Sequence, residues 1–259
     1  MNNKRLVLVS ILLIAGMLLA ACGGGSAPTE GDTQAPEATP GSSDAGGGST
    51  ETGGGEPASN VDLNLDPANL ASDNAQAAAA YLYEGLVRLQ DGTAAGALAE
   101  SFTVSEDGLD YIFNIRQGVT FHDGTALTAD VVVLNFNRWF DPADANRGSG
   151  EYAAWAANFG GFKGEVDEEG KPKSHVDGIE KQDEFVVIFH LNTPDPEFLN
   201  KLANVAFAIV SPATFAGGDG GSGPYRAASN DGTTLVLEPF AGYWDAAAIP
   251  TENMEVPAP

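Results

Sequence analysis

The sequence changes character abruptly near residue 60. Positions 23–60 contain 11 Gly and no Val, Ile, Leu, Met, Phe, Tyr or Trp, whereas large apolar residues recur throughout the remainder. A segment without such side chains cannot bury enough surface to offset the entropy cost of ordering it, so residues 23–60 are expected to form a disordered linker. Folding is therefore confined to residues 61–259, a length that suits one domain with a sizeable core.

The chain begins with the features of a secretory signal. Lys4 and Arg5 precede an apolar run over residues 6–21. This run is short for a transmembrane helix, which takes about 20 residues, and its charged start and small-residue exit are typical of a signal peptide. Residues 1–22 are interpreted as a signal peptide, and an uncleaved membrane anchor is the alternative.

Cys22, the only cysteine of the protein, ends this segment. Residues 19–22 resemble the lipobox of bacterial lipoproteins, in which the cysteine thiol is acylated and becomes the new N-terminus. With a single cysteine no intrachain disulfide can form, so Cys22 is the predicted lipidation site. The protein is therefore expected outside the cytoplasm, anchored by lipid to the cell membrane and tethered through residues 23–60.

The net charge excludes several kinds of partner. The chain has 36 acidic and 12 basic residues, and its formal net charge is −24. Loss of Lys4 and Arg5 with the signal would leave only 10 basic side chains. Because nucleic acids and anionic lipid headgroups are recognised by basic surfaces, no nucleic-acid partner is predicted, and contact with the membrane is expected through the lipid anchor alone.

Three segments after residue 60 have the composition and flanking residues of helices. The first is rich in Ala and could be capped by Asp73 or Asn74, while the second follows Thr128 and is stopped by Asp141 and Pro142. The predicted helices cover residues 76–86, 129–140 and 196–204.

Alternating apolar residues predict strands between these helices. Asp-Gly pairs at 107–108 and 231–232 supply the turn signals of two hairpins. The predicted hairpins and strands cover residues 102–115, 185–191, 206–210 and 225–237. Helices and strands mix throughout the domain without an internal repeat, so the predicted fold class is α/β or a mixed α+β arrangement.

Residues that could carry chemistry have simpler structural explanations. His122 stands in a His-Asp-Gly turn, where a hydrogen bond to the backbone is favoured over a metal or catalytic role. His175 and His190 have no ligand-like spacing to it. The glycine-rich residues 217–223 match neither a nucleophile elbow nor a phosphate loop and are predicted to form a flexible crossing. The chain is therefore not predicted to be an enzyme, and no cofactor or metal is predicted.

Four aromatic residues leave two interpretations open. Tyr81, Tyr83, Trp139 and Trp155 could line a ligand cleft, but positions in the hydrophobic core are favoured for all four.

Seven short motifs follow one another in a fixed order along the domain. The longest includes the His-Asp-Gly triplet and continues into the second predicted helix. The motifs are residues 65–67, 83–87, 98–102, 105–113, 115–131, 223–225 and 243–244. In this order they resemble the family 5 extracellular solute-binding proteins, the oligopeptide, dipeptide and nickel receptors of ABC importers.

The resemblance implies a type II periplasmic-binding-protein-like fold, in which two lobes close on a ligand. It also implies a receptor that captures peptides or similar small solutes and delivers them to an ABC permease and its ATPase. Family members are longer, so this chain is expected to hold only an incomplete first lobe, truncated before the second, and to bind family ligands weakly or not at all.

The loop before Leu65 is the one cleft-lining segment that the resemblance indicates, with Glu56 and Ser59 as the implied ligand contacts. The alternative function is a truncated surface lipoprotein without a role in transport, whose exposed lobe is an interaction module or an inactive fragment.

Overall fold

The computed structural model describes residue 61 and residues 63–259, so the predicted signal, Cys22 and the linker lie outside the described residues. Short 3₁₀ turns occupy Pro67–Asn69, Val205–Phe207, Pro212–Thr214 and Ala246–Ala248. The helices and strands are α1 (Asp73–Leu82), β1 (Val87–Gln90), β2 (Thr93–Gly96), β3 (Ala99–Val104), β4 (Asp110–Ile115), α2 (Ala129–Phe140), α3 (Ala153–Phe159), β5 (Val176–Asp183), β6 (Val186–Leu191), α4 (Phe198–Leu202), β7 (Tyr225–Asn230), β8 (Thr234–Pro239) and β9 (Met254–Pro257).

The larger sheet is antiparallel, with the strand order β3-β4-β6-β5. Along β4 the alternate residues Tyr111, Phe113 and Ile115 are buried, which is the period that a strand with one covered face requires. Gly108 has φ +73°, which suits the tight turn before β4. The predicted hairpin over residues 102–115 is therefore confirmed.

Helix α2 covers this sheet and begins and ends where the sequence predicted. Thr128 occupies the N-cap position with an extended backbone, although its side chain makes no capping hydrogen bond. The helix brings Phe136 and Trp139 into an aromatic cluster whose ring centroids lie 4.8 Å apart, and Trp155 of α3 approaches Phe136 at 5.4 Å. Both tryptophans are 1% exposed, so their predicted core positions are confirmed.

A three-stranded sheet, β7-β8-β9, is also antiparallel and packs against α1, with a second hydrophobic cluster between them, while β1 and β2 pair as a separate two-stranded sheet. The predicted hairpin over residues 225–237 is confirmed as β7 and β8. Tyr83 is buried as predicted, whereas Tyr81 is 37% exposed, so its predicted core position is wrong. The ring of Tyr81 instead meets the ring of Tyr225 edge-on, with the centroids 6.0 Å apart.

The bounds predicted for α1 are wrong at both ends. Its N-cap is Ser72, not Asp73 or Asn74, because the Ser72 hydroxyl accepts a hydrogen bond from the Ala75 N–H at 3.0 Å. The helix ends at Leu82 rather than at residue 86. The next residue, Tyr83, is extended, and Glu84 forms an isolated β-bridge with Ile209, so tertiary pairing overrides helix propensity here.

Two predictions for residues 196–210 meet different outcomes. The short helix is present as α4, within the predicted range of 196–204. The strand predicted over 206–210 is wrong, because the side chain of Asn204 accepts a hydrogen bond from the Ala206 N–H and starts a 3₁₀ turn. Only Ile209 of this segment makes a strand-like contact, through its bridge to Glu84.

We expect Trp139→Ala to lower the free energy of unfolding by about 3–5 kcal/mol, because it removes a fully buried side chain from the aromatic cluster. Chemical denaturation measures the change. Leu134→Ala is the matched control on the same helix, since Leu134 is 36% exposed and its loss should change the free energy by about 0.5 kcal/mol or less. Equal effects of the two substitutions would contradict the assignment of Trp139 to the core.

Candidate functional site

A cavity of about 440 Å³ opens between three segments of the described chain. Its walls are the 3₁₀ turn Pro67–Asn69 with the residues before it, the loop that follows α2, and residues 214–217. This volume falls in the usual range for small-molecule sites, about 300–1,000 Å³. Leu65 and Val210 of the second hydrophobic cluster and Arg138 of α2 all line it. The cavity is therefore lined both by the hydrophobic cluster beside the three-stranded sheet and by α2, the helix that covers the four-stranded sheet.

The deepest charged group of the cavity is Arg138, whose side chain is 4% exposed. Its two terminal nitrogens donate to the two carboxylate oxygens of Asp66, one of them over 3.2 Å. The third nitrogen, Nε, donates to the Asn146 carbonyl at 3.1 Å. The charge of Arg138 is therefore fully balanced and hydrogen-bonded inside the protein, as a buried guanidinium requires.

Arg147 is the second guanidinium among the lining residues, and it is half-buried. Its Nη1 donates to the carbonyls of Arg138 and Trp139, at 3.2 and 2.7 Å. Its Cζ lies 4.3 Å from the ring centroid of Tyr152 and 4.4 Å from that of Phe162. Burial lowers the pKa of Arg147 from its ordinary value. This side chain is therefore held in one position by hydrogen bonds and ring contacts.

Two non-glycine residues beside the cavity have left-handed backbones. Asn64, at the wall, has φ +39°, and Tyr152, which packs on both guanidinium groups, has φ +52°. Asn adopts this region readily, but for a bulky residue such as Tyr it is unfavourable. The Tyr152 N–H donates to the side-chain oxygen of Asn69 at 3.0 Å, which helps to hold the strained conformation. Such strain concentrates at functional sites.

The third wall of the cavity, residues 214–217, continues into a segment that ends at residue 223. Phe215 places its ring 4.6 Å from the Cζ of Arg138. Further along, residues 219–223 are buried, and a Cβ on Gly221 or Gly223 would lie 2.0 or 2.5 Å from the backbone oxygen of Leu82 or Tyr81. The predicted flexible crossing is therefore wrong for residues 219–223, where the glycines permit close packing of the backbone.

A buried pair of side chains, His122 and Asp219, fixes this segment. The His122 Nδ1 lies 2.6 Å from a carboxylate oxygen of Asp219, and its Nε2 lies 3.0 Å from the carbonyl oxygen of Gly223. Both partners of the ring are acceptors, so a ring nitrogen that carries a hydrogen can donate to the one beside it. The second carboxylate oxygen of Asp219 accepts from the Ala227 N–H at 2.7 Å. The predicted backbone contact of His122 is confirmed, and its carboxylate partner was not predicted.

The residues singled out in the sequence stand in different relations to this cavity. Glu56 and Ser59, the predicted ligand contacts, and the lipidation site Cys22 lie outside the described residues. Tyr83 belongs to the core, yet it also lines the cavity, and its hydroxyl donates to the Leu65 carbonyl at 3.1 Å. Burial, followed by the nearby negative charges, raises the pKa of Tyr83 well above its ordinary value and keeps it a donor.

The charged residues of the cavity were missed in the sequence. Arg138 carried one available signal, since it is a basic residue directly before the apolar pair Trp139 and Phe140 near the end of the helix predicted over residues 129–140. Asp66 stood in the Leu-Asp-Pro motif, and Arg147 in a loop with no periodic pattern. Only tertiary packing brings Asp66, Arg138 and Arg147 together at one cavity.

A second cavity, of about 400 Å³, lies next to the first. The two share Pro67, Asn69 and Gly150, and the second is otherwise lined largely by Ala, Leu and Val side chains. A charged cavity and a more apolar one thus flank the same 3₁₀ turn. In the described part of the chain, no group of three or more His, Cys, Asp or Glu side chains is placed to hold a metal ion.

Similar proteins are known at the level of sequence. The family model described as bacterial extracellular solute-binding proteins, family 5 Middle, matches residues 93–254. The glutathione-binding protein GsiB of Pectobacterium atrosepticum is 31% identical over 192 residues, which cover 71% of this chain and 33% of the relative. GsiB of Escherichia coli K12 is 32% identical over 189 residues, or 70% and 33% of the two chains. The chain thus spans about a third of the length of these curated relatives.

Solved structures give the same picture. DppA from Helicobacter pylori, in complex with the peptide STSA, superposes with a TM-score of 0.61 at 25% identity, over 78% of this chain and 41% of DppA. HbpA2 from Haemophilus parasuis superposes with a TM-score of 0.63 at 25% identity, over 78% and 42%. The predicted type II periplasmic-binding-protein-like fold is confirmed, with partial coverage of its neighbours. GsiB and DppA are named as binding proteins, in agreement with the prediction that the chain is not an enzyme.

We expect His122→Asn to destabilise the protein by about 1–3 kcal/mol, because it removes the ring contact to the buried Asp219 carboxylate and leaves that acceptor without its partner. Hydrogen exchange should increase at residues 214–223, and chemical denaturation should report the loss of stability. His190→Asn is the matched control: His190 pairs with Asp110 through side chains 36% and 46% exposed, so about 0–1 kcal/mol should be lost. Unchanged exchange at residues 214–223 in His122→Asn would contradict the role assigned to the pair.

Proposed function

The chain belongs to the bacterial extracellular solute-binding proteins of family 5, and we propose that it is the ligand-recognising part of an ABC importer receptor. In this proposal it captures peptides or similar small solutes outside the cytoplasm and delivers them to a membrane permease and its ATPase. Since the chain spans about a third of the length of its curated relatives, capture and delivery by the whole protein are both part of the proposal.

One observation carries this function: a preformed polar cavity of about 440 Å³ in a fold of the binding-protein type. Its charged groups are fixed by internal hydrogen bonds, as in the Asp66–Arg138 pair, and it has the size of a small-molecule site. Relatives are named for glutathione binding, and one solved neighbour holds a peptide. A short peptide, or a peptide-like solute such as glutathione, is therefore the proposed ligand class.

Uptake measurements test the proposal. Cells that lack the gene should lose uptake of at least one labelled compound from a set of di- to pentapeptides that includes glutathione, and a plasmid copy of the gene should restore it. Equal uptake of every compound by parent and deletion strains would contradict the transport role. That result would favour a surface protein that acts as an interaction module.

The proposed location is the outer face of a membrane, with Cys22 acylated and residues 23–60 as the tether. Among the described residues no helix is long and apolar enough to cross a membrane. A lipid anchor suits an importer receptor because it keeps the captured solute near the permease. Two or more acyl chains on one residue are sufficient for stable anchoring.

We expect Cys22→Ser to prevent acylation, so that the variant no longer enters the detergent phase of a detergent phase separation as the wild type does. The serine hydroxyl cannot replace the thiol as the site of acylation. Ser26→Ala, a matched change of one small side chain just after the lipobox, should leave the partition unchanged. If the wild type and Cys22→Ser partition equally into the aqueous phase, the lipoprotein assignment is wrong.

A further inference from the structure

Asn135 is a polar side chain in the middle of α2, and it is 0% exposed. Its amide oxygen accepts from the Val210 N–H at 3.1 Å, and its amide nitrogen donates to the Val210 carbonyl at 2.8 Å. The same nitrogen also donates to the Val131 carbonyl, one turn back in the helix, at 2.9 Å. The side chain is therefore hydrogen-bonded as its burial requires, and it binds both backbone groups of a single distant residue, Val210.

Val210 belongs to a segment whose backbone needs such a partner. Residues 206–211 are all buried, with Ile209 in the core that α2 shares with the larger sheet and Val210 in the second hydrophobic cluster. The strand-like contact of this segment is the bridge between Ile209 and Glu84. At Val210 the amide of Asn135 takes the place of a neighbouring peptide group, because an unpaired N–H or carbonyl in this position would be costly.

Asn135 and Arg138 lie three positions apart, so they project from the same side of α2. Arg138 binds Asp66, beside the 3₁₀ turn of the first wall. Asn135 binds Val210, which lines the cavity and lies four positions before the third wall, residues 214–217. One side of one helix therefore holds two walls of the cavity.

The link between Val210 and the third wall is itself hydrogen-bonded. The Ser211 N–H donates to the Gly220 carbonyl at 2.9 Å, and the Ser211 carbonyl accepts from the Thr214 hydroxyl at 2.9 Å. A displacement of Val210 would therefore be passed on to Thr214 and the residues that follow it.

We infer that Asn135 is a positioning residue: through its two hydrogen bonds to Val210 it sets the distance between α2 and the third wall, and with it the width of the cavity. Asn135 is not among the lining residues, so it acts on a solute through Val210 and residues 214–217. The inference rests on the proposed function, because the width of the cavity matters to the cell only where a solute is bound. A wall that is already in place lowers the cost of ordering it on binding.

Hydrogen exchange tests the contact. Asn135→Leu removes both hydrogen bonds and keeps a side chain of similar size, so exchange at residues 209–217 should become at least about tenfold faster. This increase should exceed that at the amides of β4 and β6, which a loss of overall stability would affect as well. Asn137→Leu is the matched control, since it makes the same change at a half-buried position of the same helix and should leave residues 209–217 unaffected.

A second variant separates positioning from loss of packing. In Asn135→Asp an ionised carboxylate can accept from the Val210 N–H but cannot donate to its carbonyl, whereas the protonated acid can do both. Burial raises the pKa of a carboxyl group above its ordinary value of about 4. Relative to the wild type at the same pH, protection of residues 209–217 should therefore be low at about pH 7 and recover by about pH 4.5. Asn135→Leu should show no such recovery.

Uptake supplies the functional readout. The probes are the labelled di- to pentapeptides, with glutathione, that separate parent and deletion strains. For these, Asn135→Leu should raise the half-saturation concentration about two- to tenfold with little change in the maximal rate, because a displaced wall weakens capture rather than delivery. Asn137→Leu should take up the same compounds as the wild type does.

Three results would overturn the inference. They are equal exchange at residues 209–217 in Asn135→Leu and Asn137→Leu, a failure of Asn135→Asp to recover in acid, and an unchanged half-saturation concentration in Asn135→Leu. If Asn135→Leu does not fold, the pH dependence of Asn135→Asp decides alone. Equal uptake by parent and deletion strains contradicts the proposed function instead, and hydrogen exchange then still decides whether Asn135 positions the wall.

Discussion

The ion pair between Arg138 and Asp66 is the contact on which the cavity depends. Helix α2 must cover the larger sheet with its apolar side chains, and this places Arg138 in the interior, 4% exposed. Removing one member of such a pair costs about 3–5 kcal/mol, because the other charge stays buried without a partner. The segment that carries Asp66 is therefore held against α2, although the two lie 72 positions apart in the chain.

Asp66 also holds the neighbouring 3₁₀ turn in place. Its carboxylate accepts from the Ala68 N–H at 3.1 Å and from the side-chain amide of Asn69 at 2.7 Å, which closes the 3₁₀ turn. The Asn69 oxygen then accepts from the N–H of Tyr152, and the Tyr152 hydroxyl donates to the carbonyl of Arg147. A series of hydrogen bonds thus connects a buried ion pair to the backbone of Arg147, a residue that lines the cavity.

The sequence was a good guide where local chemistry decides the structure. The hairpin over residues 102–115 follows from alternation and an Asp-Gly turn, and the bounds of α2 follow from its apolar pattern and from Pro142. It failed at residues 206–210, where an apolar run was read as a strand, because such a run does not reveal which residues find pairing partners. Only Ile209 finds one, in Glu84, which lies 125 positions earlier.

The candidate site was harder to predict for the same reason. The family motifs contain Asp66 and His122, but no local pattern pairs them with Arg138 and Asp219, which lie in distant segments of the chain. Arg147 carries no helical or strand pattern at all. Its position is set by the carbonyls at the end of α2 and by two aromatic rings. Side chains that gain their role only from tertiary contacts leave little trace in a single sequence.

Opposite walls of the cavity are held by separate buried pairs. Asp66 and Arg138 fix the 3₁₀ turn, while His122 and Asp219 fix the glycine segment that continues from Phe215. Neither pair requires a ligand for its hydrogen bonds, so both walls are in place before binding. Ordering a mobile side chain or loop on binding costs about 0.5–1.5 kcal/mol per immobilised side chain, and a preformed cavity avoids most of this cost.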